Sequence, residues 1–293
     1  MGIDLHALNF VQFASSRQNL GSVAMIGRQR LAVPEVRMRE LLHTPEDYQH
    51  PRYCEDLLVQ HFGATSVESF DNSAYEGATH IADFNLPISI PRQYDTVMDV
   101  GSLEHIFNAP QALMNVSALC RKGGQILHVL PSNNWCGHGL WQFSPELFLS
   151  LYSAENGYSD TQVFMADLQQ EEFWYEVLPP KDGEQVVLAS PNQTYVMCRT
   201  IRGDVVSTVR VQQSMYMTRW AGSSPLPPPE SPSRVARVKA AIRHSPAGPL
   251  ARRAVRWIAK QRTRNAGVAS TFPDLVLERR VSELTHRSGD GRR

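Results

Sequence analysis

The chain has 293 residues, 42% hydrophobic and 20% charged, with 29 basic side chains against 29 acidic ones. This is the composition of a globular protein able to bury a core, with room for one full α/β domain plus an appendage, and it excludes a generally disordered chain. The zero net charge conceals an asymmetry: residues 1–222 carry 14 Lys or Arg against 24 Asp or Glu, and residues 223–293 carry 15 against 5, so two regions of opposite electrostatic character are expected.

Cys54, Cys120, Cys136 and Cys198 are widely separated, with no close pair of the kind a zinc ribbon or redox motif needs, and read as buried reduced thiols. No metal is expected from them. The opening MGIDLHALNF lacks a cationic stretch followed by an apolar one, and no segment approaches the ~18 apolar residues of a spanning helix. The expected location is the cytoplasm.

Residues 1–21 read as an N-terminal extension. From Ser22, short β-rich runs alternate with helical patterns, the signature of βαβ units and a parallel sheet. The runs are 22–26 (SVAMI), 66–70 (SVESF), 78–82 (ATHIA), 96–100 (TVMDV) and 125–130 (QILHVL). Each has the length of a strand buried on both faces. Between them, 51–62 places Cys54, Leu57, Leu58 and Phe62 at helical spacing before Gly63. Asn108 can cap another helix with Pro110 in its first turn. A helix opening SPELF and two further strands, 161–165 and 194–199, complete a doubly wound, mostly parallel α/β domain over 22–220. No internal repeat is present. Residues 221–233, with five prolines and four serines, read as a semi-rigid linker to a basic, partly helical tail over 234–293.

In an open parallel sheet, ligands sit beyond the C-terminal ends of the strands, so the residues just after each run matter most. There stand Gly27, Asp71, Asp83 with Phe84, and the segment GSLEHI from Gly101 to Ile106. A nucleoside offers ribose hydroxyls to one carboxylate, an exocyclic amine to a second acceptor and a π face to an aromatic ring. Taken singly, each Asp also suits a turn or a helix cap.

The 54 residues from Ala78 to Pro131 resemble the second half of a class I S-adenosylmethionine-dependent methyltransferase domain. That family has an Asp-bearing turn, a strand of FD-hydrophobic type, an LEHI turn that opens the following helix, and a GG-hydrophobic strand. The resemblance implies a Rossmann-like methyltransferase fold and S-adenosyl-L-methionine as cofactor. It implies that Asp83 accepts from the adenine amine with Phe84 at the ring, and that Gly101 and Ser102 approach the cofactor through their backbones. Gly27 and Asp71 join them as cofactor-binding residues. The first loop departs from the family's D-x-G-x-G: MIGRQRLAV keeps only Gly27, with Arg28 and Gln29 where small residues are usual. Asp71 lies 44 residues beyond Gly27, which requires an insertion.

A sulfonium methyl is already activated, so the protein has to place a nucleophile and, for a hydroxyl, remove its proton. His105 and His138 are the candidate bases. Asn133, Trp135 and Trp141, in the loop after the fifth strand, suit a sugar, glycan or other hydroxylated small-molecule acceptor, lipid-linked acceptors included. In the tail, Leu250 to Arg262 reads as a basic amphipathic helix for a membrane surface or an acidic partner, with nucleic acid disfavoured. Two alternatives stand beside this reading. One is a methyltransferase-like scaffold without catalysis; the other, a nicotinamide-dependent enzyme, lacks G-x-G-x-x-G.

Overall fold

A computed structural model describes residues 2–43, 51–90, 92–180, 188–205, 209–221, 268–270 and 275–285. The amphipathic segment Leu250 to Arg262 and residues 222–233 of the linker lie outside the described residues. No helix among those described is long and apolar enough to cross a membrane.

Nine strands form the main sheet. In chain order they are β1 (Gly21–Ile26), β2 (Ala64–Asp71), β3 (His80–Ile81), β4 (Tyr94–Val100), β5 (Cys120–Pro131), β6 (Tyr158–Asp167), β7 (Phe173–Val177), β8 (Thr194–Arg202) and β9 (Val276–Arg280). Their spatial order is β3-β2-β1-β4-β5-β8-β6-β7-β9. The first five run parallel. β8 is inserted antiparallel between β5 and β6, and β7 and β9 extend the far edge antiparallel. The sheet is therefore mixed, with a parallel core that ends on one side at the candidate site.

Each face of the sheet carries its own core. On one face, α1 (Leu5–Arg17) and α2 (Glu55–Phe62) pack with Met25, Met98, Phe164 and Trp174. On the other, α3 (Ala109–Leu119) and α4 (Pro145–Leu151) cover Ala24, Val97, Ile126 and Val196. Adjacent residues of one strand thus face opposite cores, which explains why SVAMI and TVMDV are continuous apolar runs and not alternating ones. The caps follow the sequence: Asn108 accepts from the Gln111 amide at the start of α3, and Gly63 closes α2 in a left-handed conformation.

Three segments differ from their expected roles. Residues 1–21, read as an extension, contain α1, whose Leu8, Phe10, Phe13 and Ala14 are fully buried in the core. Asp4 caps α1 by accepting from the Ala7 amide at 2.9 Å. Residues 276–285 of the basic tail also join the domain, as β9 and a short helix whose Val281 packs into the same core. LEHI, expected to open a helix, forms a single 3₁₀ turn over Leu103–His105, and α3 begins separately at Ala109.

At the end of the parallel strands opposite the site, Asp95 ties β1, β4 and β5 together. Its Oδ2 accepts from the Ser22 amide and hydroxyl, each at 2.7 Å, and its Oδ1 from Arg121 Nε at 2.6 Å. Partial burial works to raise its pKa, but the hydrogen bonds from Ser22 and the Arg121 guanidinium outweigh that and hold it down to about 2. An unfolded Asp titrates near ~3.9, so this contribution to stability is complete above about pH 4 and is lost as the pH falls toward about 2. Acid unfolding followed by circular dichroism is expected to show a shallower loss over that window for Asp95→Asn than for the wild type; equal slopes would contradict it.

Candidate functional site

The C-terminal ends of β1, β2 and β4 converge on a cleft of about 330 Å³, at the lower end of the ~300–1,000 Å³ usual for small-molecule sites. Gly27, Asp71, Asp83, Phe84, Gly101, Ser102 and His105 all line it. Gly27 and Gly101 have φ of +72° and +76°, a region that favours glycine. A Cβ on Gly27 would meet Ser102 Oγ at 2.5 Å, where that hydroxyl donates to the Ile26 carbonyl. The β1 and β4 ends are thereby held in contact.

The carboxylates differ in surroundings. Asp83 is exposed, and its Oδ1 accepts both the backbone N–H and the side-chain amide of Asn85, which lowers its pKa below the usual value. Among the described residues, the carboxylate of Asp71, at the end of β2, receives only a long contact of 3.3 Å from the Ser73 amide. The Phe84 ring is a different matter: it is 4% exposed and packs edge-on against Phe70, so it builds the cleft wall as core.

The departure in the first loop has a structural counterpart. Arg28 is drawn aside by Glu55 at 2.6 Å, the Glu76 carbonyl and the face of Tyr53. Gln29 is buried and donates to the Ile26 carbonyl at 2.9 Å, while its Oε1 is buried with no hydrogen-bond partner among the described residues. An unpaired buried acceptor on a cleft wall is uncommon and invites a donor from a ligand.

Beneath the cleft, Asp99 fixes the turn that follows β4. Its Oδ1 accepts from the Ser102 and Leu103 amides at 3.1 and 3.3 Å, and Oδ2 lies 3.0 Å from His128 Nδ1. His128 Nε2 is in turn 2.7 Å from the Tyr152 hydroxyl. Asp99, His128 and Tyr152 are all buried. None was singled out in the sequence, although the signal existed: TVMDV and QILHVL each place one polar residue in an apolar run, and the register pairs Asp99 with His128.

Beside the cleft stands a second cluster. The Nε2 atoms of His105 and His138 each lie 3.6 Å from Glu104 Oε1. Glu104 is fully buried, and that burial, reinforced by Asp99, pushes its pKa up to about 8. Burial and the neighbouring His138 lower the pKa of His105. The loop after β5 carries His138 over this turn, the Leu140 amide donating to the Glu104 carbonyl at 2.6 Å.

The remaining acceptor candidates are not among the residues lining the cleft. Asn133 lines a separate hollow of about 270 Å³ and donates to the Ser190 carbonyl. Trp135 stacks on Tyr195 and donates to the Thr194 carbonyl, so it anchors the loop. Trp141 is 40% exposed, donates to the Ile106 carbonyl and has its ring 6.4 Å from that of the exposed Phe107.

The five parallel strands in the order 3-2-1-4-5, followed by an antiparallel strand inserted beside the sixth, decide the fold. The chain has a doubly wound, Rossmann-like α/β fold with a parallel core. No protein-family model and no curated protein matches the sequence. Among solved structures the chain is similar to TehB from Haemophilus influenzae, at 12% identity over 66% of this chain and 61% of that one, with a TM-score of 0.40. It is similar to the N-methyltransferase NodS from Bradyrhizobium japonicum, at 11% identity over 68% and 96%, with a TM-score of 0.37. A further match is an S-adenosylmethionine-dependent methyltransferase from Clostridium acetobutylicum, 10% identical over 67% and 74%, with a TM-score of 0.27.

Proposed function

We infer that this protein is an S-adenosylmethionine-dependent methyltransferase whose cofactor occupies the cleft beyond β1, β2 and β4. The observation that carries the reading is the convergence of Gly27, Asp71, Asp83, Gly101 and Ser102 on one cleft at the strand ends. The residues suit the cofactor chemically. Asp71 is placed to accept from ribose hydroxyls, and Asp83 has its Oδ2 available for the adenine amine. The unpaired Gln29 Oε1 suits the ammonium of the methionine moiety, in a loop that has exchanged glycines for side chains.

When bound, the cofactor supplies an activated methyl group on sulfur. The protein's own task is then to hold an acceptor in line, exclude water and take up a proton. His105, on the cleft wall, and His138 beside it handle that proton. Exposed Phe107 and Trp141 form an aromatic platform next to this pair, which supports a hydroxylated acceptor with an apolar face, such as a sugar or glycan unit. Lipid-linked acceptors belong to the same class.

Calorimetric titration with S-adenosylmethionine and S-adenosylhomocysteine tests the assignment. The wild type is expected to bind both. Asp71→Ala and Asp83→Ala are each expected to weaken binding by about 10-fold or more, the cost of losing a hydrogen bond to a charged acceptor. Folded wild-type protein that binds neither would overturn the enzyme reading and leave the scaffold alternative.

A further inference from the structure

We propose that Glu104, His105 and His138 form a binding site for one divalent transition-metal cation at the edge of the cleft. The inference rests on the methyltransferase reading and revises one part of it: with both imidazoles bound to the ion through Nε2 they no longer take the acceptor's proton, and the ion instead lowers the pKa of a bound acceptor oxygen, whose proton passes to solvent.

The geometry comes first. Both imidazole Nε2 atoms are 3.6 Å from one carboxylate oxygen, and the three ligand atoms all lie within 4.8 Å of one another. Nitrogen and oxygen ligands stand about 2.0–2.2 Å from zinc-like ions, so two ligands sharing an ion are separated by roughly 3–4 Å. The two glutamate-to-histidine distances already fit. The remaining imidazole-to-imidazole separation lies within 4.8 Å, and the His105 side chain is half-exposed.

Unsatisfied polar atoms supply the second argument. Among the described residues, both carboxylate oxygens of Glu104 and Nε2 of His138 are buried with no hydrogen-bond partner. Buried polar groups are almost always paired, and an isolated buried carboxylate is costly. One cation between them satisfies all three atoms and neutralises the charge.

The chain also brings these groups together deliberately. Asp99 locks the turn bearing Glu104 and His105 from below. From above, Gly139, with φ +72°, packs so close that a Cβ there would meet Glu104 Cγ at 2.8 Å and the Glu104 carbonyl at 2.9 Å. This contact, with the Leu140 amide on the Glu104 carbonyl, sets His138 over the carboxylate. Two imidazoles and one carboxylate suit Mn²⁺, Fe²⁺, Co²⁺ or Zn²⁺, in contrast to the all-oxygen sets of Ca²⁺ and Mg²⁺. Three protein ligands leave coordination positions for an acceptor oxygen. Because His105 also lines the cleft, that oxygen would stand next to the cofactor.

The test uses tag-free full-length protein, freed of metal by chelator dialysis and titrated with Co²⁺ while its visible d–d absorption is recorded. One equivalent is expected to saturate the signal and to be displaced by Zn²⁺. Glu104→Gln and His138→Ala are each expected to weaken Co²⁺ binding at least 10-fold while retaining a cooperative thermal transition, and His61→Gln, remote from the cluster, to leave it unchanged. No saturable signal, or equal affinity in all four proteins, would overturn the proposal. Titration of the same metal-free protein with S-adenosylhomocysteine separates the two readings: cofactor binding without Co²⁺ binding defeats only the cation site, and Co²⁺ binding without cofactor binding defeats only the methyltransferase assignment.

Discussion

Replacing Asp99 with alanine is expected to destabilise the protein by about 3 kcal/mol or more, because it strands three donors at once, two of them buried. The Ser102 and Leu103 amides and His128 Nδ1 all lose their acceptor, and the imidazole that remains is fully buried against Tyr152. Breaking one side of such a buried network costs far more than the network contributes relative to an apolar replacement. Asp99→Asn keeps an oxygen for the turn and an amide toward the ring, so its loss is expected to be clearly smaller. Urea unfolding of the two variants checks this, and a loss below about 1 kcal/mol for Asp99→Ala would contradict the role given to the network. The same variant is expected to weaken cofactor binding, since Gly101 and Ser102 belong to the turn it holds.

Trp174→Ala carries the other large effect, about 3–5 kcal/mol, the range for deleting a buried Trp ring. Its ring centroid is 5.9 Å from that of Phe10, 6.4 Å from Phe13 and 5.8 Å from Phe164, and Nε1 donates to His6 Nδ1 at 3.2 Å. Three of these four partners sit on α1. The cavity therefore opens between α1 and the sheet, and the α1 amides are expected to lose hydrogen-exchange protection before those of β4 and β5. Uniform loss of protection, or a penalty under about 1 kcal/mol, would show that α1 contributes little to the core.

These two residues also mark where sequence reasoning stopped. The central strands were legible because a strand buried on both faces is a short apolar run, and 22–26, 96–100 and 125–130 fall within β1, β4 and β5. α1 was not, because it is buried on nearly every side, His6 and Asn9 included, and so shows no polar stripe to reveal its period. β9 was hidden for another reason: VLERR pairs with β7 across about 100 residues, and nothing local states that partner.

At the site, position after a strand was enough to single out Gly27, Asp71, Asp83, Gly101, Ser102 and His105. Burial could not be read in the same way. Glu104 looks like a solvent residue until Gly139 and Leu140 close over it, and Phe84 looks like a ligand platform until Phe70 claims its edge. Both depend on contacts between segments far apart in sequence.

A crystal structure of the protein grown with S-adenosylhomocysteine tests the central claim most directly. The account predicts the ligand in the cleft beyond β1, β2 and β4, its ribose hydroxyls within hydrogen-bonding distance of Asp71, its adenine amine at Asp83 and its homocysteine moiety near Gly27 and Gln29. A ligand bound elsewhere, or an empty cleft under saturating ligand, would contradict it.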